Sequence, residues 1–141
     1  MHGTKVIALV LALVCGGFAI DERAVCAQEG KERVFELRIY TTHPGKLDDL
    51  HKRFRDHTNR LFEKHGMQLV GYWTPTDGDE AANTLIYLLA YPSREAREKS
   101  WQGFRDDEEW KKVFQESHAD GPIVQKVESK FLAPTDYSPI K

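Results

Sequence analysis

The chain has 141 residues, a formal net charge of −2, 30% charged side chains and two cysteines. With no basic run and no aromatic-and-glycine RNA signature, that balance excludes a nucleic-acid surface. Both cysteines, Cys15 and Cys26, lie within the first 27 residues, so the remainder has no thiol for a disulfide, a nucleophile or a thiolate metal site.

Residues 1–27 read as an export signal. Lys5 opens it, Val6 to Val14 is an unbroken apolar run, and Val25-Cys-Ala27 puts small residues where a signal peptidase cuts, before Gln28. Even extended to Ile20 through two glycines, the run is short and poorly flanked beside the about 20 apolar residues a membrane span needs. An uncleaved N-terminal anchor is the alternative. A lipid-modified cysteine is disfavoured, because Cys15 and Cys26 each follow a valine. Removing residues 1–27 from the 141 leaves 114, with 18 basic and 20 acidic side chains. That is one compact domain, expected in the periplasm or outside the cell and free of the membrane once cleaved.

After a polar lead-in over residues 28–33, Val34 to Tyr40 alternates strictly. The pattern predicts a strand with Phe35, Leu37 and Ile39 on one face and Glu36, Arg38 and Tyr40 on the other. The apolar row is expected to lie under helices, and the polar row to meet solvent, a ligand or a second subunit. His43-Pro-Gly45 ends the strand, and Lys46 to His65 reads as a helix closed by Gly66. Its apolar stripe is expected to contain Leu47, Leu50, Phe54, His57, Leu61 and His65. Met67 to Thr74 predicts a second strand and Asn83 to Tyr91 a third, whose near-continuous apolar run suggests burial on both faces. Ser93 is a candidate N-cap for a helix carrying Ala96, Trp101 and Phe104. Asp106 to Glu109 reads as a fresh capping box, so a bend and another helix with Trp110, Val113 and Phe114 are expected. Ile123 to Leu132 predicts a fourth strand, which closes a domain over 34–133 ahead of a tail over 134–141.

The order strand, helix, strand, strand, helix, strand is the α+β ferredoxin-like βαββαβ arrangement, a four-stranded antiparallel sheet with its helices on one face. The other face needs a cover, because the third strand adds apolar residues whichever way it turns. A second copy packed sheet to sheet supplies one.

At this point the chain resembles the NIPSNAP family of the dimeric α/β-barrel superfamily. The resemblance is carried by Phe35-Glu-Leu-Arg-Ile-Tyr40, Pro44-Gly-Lys-Leu47, Lys64-His-Gly66 and Leu69-Val-Gly-Tyr-Trp73. Leu89-Ala-Tyr91 with Ser93, the Trp110 helix start and Tyr137-Ser-Pro139 extend it to residue 139. It implies a homodimer whose two sheets form a shared barrel with the helices outside. Members are mostly described as binding or trafficking-associated proteins without a settled reaction. The export signal departs from the mitochondrial targeting of animal members.

His57 is the sharpest candidate for chemistry, as a base or a haem ligand, against the plainer reading of a core histidine bonded to a carbonyl or a tyrosine. Tyr87, Trp73 and Trp101 join it as candidate pocket residues for a small apolar or aromatic ligand. Glu36, Arg38, Tyr40 and Tyr72 are assigned to the dimer seam, since arginine and tyrosine are enriched at such surfaces. None of His51, His57 and His65 stands four residues from another, so no metal site is expected. His118 near a helix C-terminus is explained by the helix dipole. The expected function is a dimeric small-molecule-binding or interaction domain with no cofactor. The alternative is a cofactor-independent or haem-dependent monooxygenase, which requires an apolar cavity between helices and sheet.

Overall fold

The computed structural model of the protein describes residues 33–141, so the expected export signal over 1–27 and both cysteines lie outside the described residues. Four strands, β1 (Val34–Thr42), β2 (Gln68–Trp73), β3 (Thr84–Tyr91) and β4 (Val124–Leu132), form one sheet in the order β2-β3-β1-β4 with antiparallel neighbours throughout. The helical segments α1 (Leu47–Arg53), α2 (Asn59–Lys64), α3 (Arg94–Asp106) and α4 (Glu108–Ser117) accompany it. This is the expected ferredoxin-like α+β fold. No helix among the described residues is long and apolar enough to cross a membrane.

The strand alternation is present, but its facing is the reverse of the expectation. Glu36, Arg38 and Tyr40 pair across to Leu89, Tyr87 and Leu85. Those three β3 residues belong to the core cluster with Leu50 and Phe54 of the first helical stretch and Trp101 and Phe104 of α3. The polar row of β1 therefore lies beneath the helices. The apolar row turns to the open face, where Phe35 is buried but Leu37 and Ile39, with Ile86 and Leu88 opposite, are only half-buried. Over Leu85–Leu89 the β3 residues accordingly alternate between full and partial burial, while Thr84, Ala90 and Tyr91 at its ends are buried.

The first helical stretch also departs from expectation, at its centre. Phe54–Thr58 is a single π turn between α1 and α2. Leu50, Phe54, Thr58 and Phe62 are all buried, at four-residue intervals. That spacing drifts by about 40° per step in a regular α-helix, and the wider π turn keeps it on one face. Thr58 thus takes the inward position expected for His57, which is rotated to the side.

The junction between α3 and α4 falls as expected, with the cap one residue later. Asp107, not Asp106, is the N-cap of α4, its Oδ1 accepting from the Glu109 amide at 2.9 Å. Its Oδ2 meets Lys64 Nζ and His65 Nε2, each at 2.7 Å, and so ties the end of α2 to the start of α4. Gly66, at φ 78°, lets the chain turn out of α2 in a conformation that side chains with a Cβ rarely adopt. Gly71 leaves room for the Trp73 ring folded across it, since an added Cβ would stand 2.6 Å from that ring and push it aside.

Asp107→Ala removes a cap and the α2 tie together, and should lower stability by about 1–2 kcal/mol at neutral pH. The exposed neighbour Asp106→Ala should change it by no more than about 0.5 kcal/mol. Urea denaturation compares the two, and equal losses would contradict the cap assignment.

Candidate functional site

Beneath α3 the sheet carries a buried polar cluster centred on Glu36, which is fully buried. Its Oε1 accepts from Arg38 Nη1 at 2.8 Å, Arg97 Nη2 at 2.7 Å and Ser129 Oγ at 2.7 Å. Its Oε2 accepts from Arg97 Nε at 3.0 Å, Trp101 Nε1 at 3.1 Å and the Tyr91 hydroxyl at 3.2 Å. Burial alone would push this carboxyl up, but the hydrogen bonds from Arg97, Ser129 and Arg38 outweigh it and pull its pKa from 4.5 to about 2. Arg38 continues the cluster, donating Nε to Tyr87 Oη at 2.9 Å and Nη2 to Tyr40 Oη at 3.2 Å, with its guanidinium 4.3 Å from the Trp101 ring centroid. Burial raises the pKa of both Tyr87 and Tyr91, so these phenols stay protonated.

Next to this cluster a cavity of about 240 Å³ lies between the helices and the sheet. The π turn gives it Phe54 and Thr58, and the aromatic residues Phe104, Trp110 and Phe114 come from α3 and α4. Val124 to Val127 of β4 close one side, while Tyr40 and Arg53 carry polarity to its wall. Thr58 Oγ1 donates to the Arg53 carbonyl at 3.2 Å. His118 Nδ1 donates to the Phe114 carbonyl at 2.6 Å, which leaves Nε2 of the neutral ring as a proton acceptor.

Against this geometry the candidate residues separate. Tyr87 and Trp101 are buried beneath the helices, within the Glu36–Arg38 cluster rather than on the cavity wall. Trp73 is 54% exposed and pairs with Ile86 on β3, away from the cavity. His57 opens onto a separate groove of about 320 Å³ whose walls include Lys46, Asp49, Lys52, Asp56 and Glu116, so it faces charge rather than an apolar chamber. Glu36, Arg38, Tyr40 and Tyr72 stand on the helix-covered side, and Tyr72 stacks on Tyr87 at 5.6 Å between centroids. They are therefore not on the face that a second sheet could meet. The physical reason is the donor supply from Arg97, Trp101 and Ser129, which makes the covered side the favourable one for a carboxylate.

Arg53, Thr58, Arg97 and Ser129 were not singled out by the sequence. One signal for the cavity was legible, since Trp110, Phe114 and the C-cap His118 recur at four-residue spacing along and just past α4. Arg53 carries no such signal, because an arginine beside a helical apolar stripe ordinarily reads as a solvated cation. No group of acidic, histidine or cysteine side chains suited to a metal occurs among the described residues.

The family model for NIPSNAP matches residues 35–139, which covers the sheet but for Val34 and every helix described above. The chain belongs to the NIPSNAP family. Among solved structures, a NIPSNAP family protein of unknown function from Agrobacterium tumefaciens superposes with a TM-score of 0.69 at 22% identity, covering 79% of this chain and 96% of that one. A NIPSNAP-like domain protein from Burkholderia xenovorans gives 0.67 at 21% identity, over 77% and 90% of the two chains. SnoaB, a cofactor-independent oxygenase from Streptomyces nogalater, gives 0.52 at 12% identity over 77% and 98%, a likeness of fold alone. No curated protein matches the chain.

The depressed Glu36 pKa fixes a sign for the pH dependence of this NIPSNAP domain. The group is ordinarily 4.5 and falls to about 2 in the fold. Its contribution is therefore complete above the unfolded value and lost as pH drops through the folded one. About 3 kcal/mol of stability should disappear between roughly pH 5 and pH 2. Glu36→Gln should cost 3–5 kcal/mol at pH 7, by leaving Arg38 and Arg97 without their carboxylate, and should flatten that acid limb. Denaturation curves across pH measure both, and an unchanged slope in the variant would place the acid sensitivity elsewhere.

Proposed function

We propose that this NIPSNAP domain is an exported homodimer that binds a small, largely apolar or aromatic molecule between its helices and its sheet. The observation that carries the reading is the cavity of about 240 Å³, whose walls include the rings of Phe54, Phe62, Phe104, Trp110 and Phe114 beside a smaller polar part. The π turn supports it, because such turns inside α-helices are frequent at functional sites. Dimerisation is supported by the open sheet face, where Leu37, Ile39, Ile86 and Leu88 leave an apolar surface in the middle of the sheet. Export is supported by the apolar run and small-residue cleavage pattern at the N-terminus.

Native mass spectrometry of the protein purified from its own host tests the binding reading. A retained small molecule is expected, and it should be absent from Thr58→Trp, whose indole fills the chamber. Retention by that variant, or an empty wild-type protein, would count against the cavity as the binding place.

The dimer is tested separately. Light scattering should give twice the chain mass for the wild type and the single mass for Ile39→Glu, with unchanged circular dichroism. A monomeric wild type at micromolar concentration would refute the sheet-to-sheet arrangement.

A second reading, a cofactor-independent oxygenase, draws on His118, whose Nε2 is left as a proton acceptor on the same cavity wall. Its signature is oxygen uptake on adding an electron-rich hydroxyarene, abolished by His118→Ala.

A further inference from the structure

Arg53 is a charge that the fold does not neutralise. It is 6% exposed, and its Nε is buried with no hydrogen-bond partner. Nη1 donates to Ser117 Oγ at 3.2 Å. The guanidinium lies 5.5 Å from the Trp110 ring centroid and 5.9 Å from that of Phe114, both on the cavity wall. No carboxylate pairs with it among the described residues, including Asp49, Asp56, Glu116 and Asp120 in the groove on its other side. Arg38 shows the contrast, a largely buried arginine held by Glu36 at 2.8 Å. An unpaired buried cation is strongly unfavourable, so retaining one at a cavity wall calls for an anion from outside the chain.

The cavity agrees with that sign. No aspartate or glutamate lines it, whereas Arg53, His118 and Lys126 do, the last paired at its outer end with Glu128. Tyr40 lies on the same wall. Tyr40 Oη accepts from Arg38, which strengthens its own O–H as a donor. A planar guanidinium edge suits a carboxylate, and aromatic walls suit a ring. At about 240 Å³ the chamber is below the roughly 300 Å³ at which drug-sized pockets begin, so only a small ring system fits.

We infer that the cavity takes a small aromatic carboxylate, with its rings against Trp110 and Phe114 and its carboxylate on Arg53 with the Tyr40 hydroxyl beside it. This rests on the small-molecule reading of the cavity and adds the chemical class of the ligand.

Calorimetric titration with 2-naphthoate and with the uncharged, similarly shaped 2-naphthamide tests it. The wild-type protein should bind the naphthoate at least ten-fold more tightly. Arg53→Met should lose that preference by weakening naphthoate alone. Equal binding of both probes by the wild type would overturn the carboxylate assignment while leaving the cavity reading intact. Binding of neither would overturn both. A preference that survives in Arg53→Met would also overturn it. If that variant does not fold, the wild type still decides. Its Arg53 Nε resonance should shift on adding 2-naphthoate and not on adding 2-naphthamide, and an unmoved resonance sinks the assignment.

Discussion

The burial of one carboxylate organises this domain. Glu36 is the third residue of β1, and its oxygens collect donors from its own strand, from β3, from α3 and from β4. A buried carboxylate is tolerable only when its lone pairs are filled and its charge is matched. Meeting that condition fixes which face of β1 lies under the helices, how α3 is placed over the sheet, and where β4 must run to bring Ser129 into reach. The apolar row of β1 is then left to the opposite face by the period-2 geometry of the strand. The open sheet face and the cavity under the helices are two consequences of the same choice.

The cluster also divides the space beneath the helices into two chemical regions. Under α3 the polar groups are paired with one another, with Arg97 and Arg38 on Glu36 and the phenols of Tyr87 and Tyr91 hydrogen-bonded. Under α4 the walls are largely rings, and among the polar groups there Arg53 is buried with its Nε unbonded. Tyr40 stands between them, its oxygen on Arg38 and its ring against Phe54 at 6.2 Å. A self-satisfied network gives rigidity, while an unsatisfied charge beside space is what a binding site requires. The two arginines have the same chemistry and opposite circumstances, and the difference is the presence of a carboxylate.

Local backbone geometry decides which side chains reach the cavity. The π turn keeps Leu50, Phe54, Thr58 and Phe62 in line toward the sheet and turns His57 into a charged groove. A regular helix would rotate the later positions and change the wall. The tie between Asp107, Lys64 and His65 then holds the end of this helix against α4, so that the rings of Phe104 and Trp110 stay 4.3 Å apart across the junction.

The sequence by itself determined the order of elements, their approximate ends and the family. Those depend on period-2 and period-3.6 patterns, on Pro44-Gly45, Gly66 and Gly121-Pro122, and on the capping serine before α3, all of which act over a few residues. It also marked β1 as a strand with two unlike faces. Which face is covered was decided only by the tertiary structure, because alternation distinguishes two rows without saying which one finds partners. The deciding donors, Arg97, Trp101 and Ser129, lie 61, 65 and 93 residues away from Glu36. The exchange of His57 for Thr58 was equally hidden, since a 100° repeat assumes the regular helix that the π turn interrupts. Arg53 became notable only once packing had removed water from it and left no carboxylate beside it.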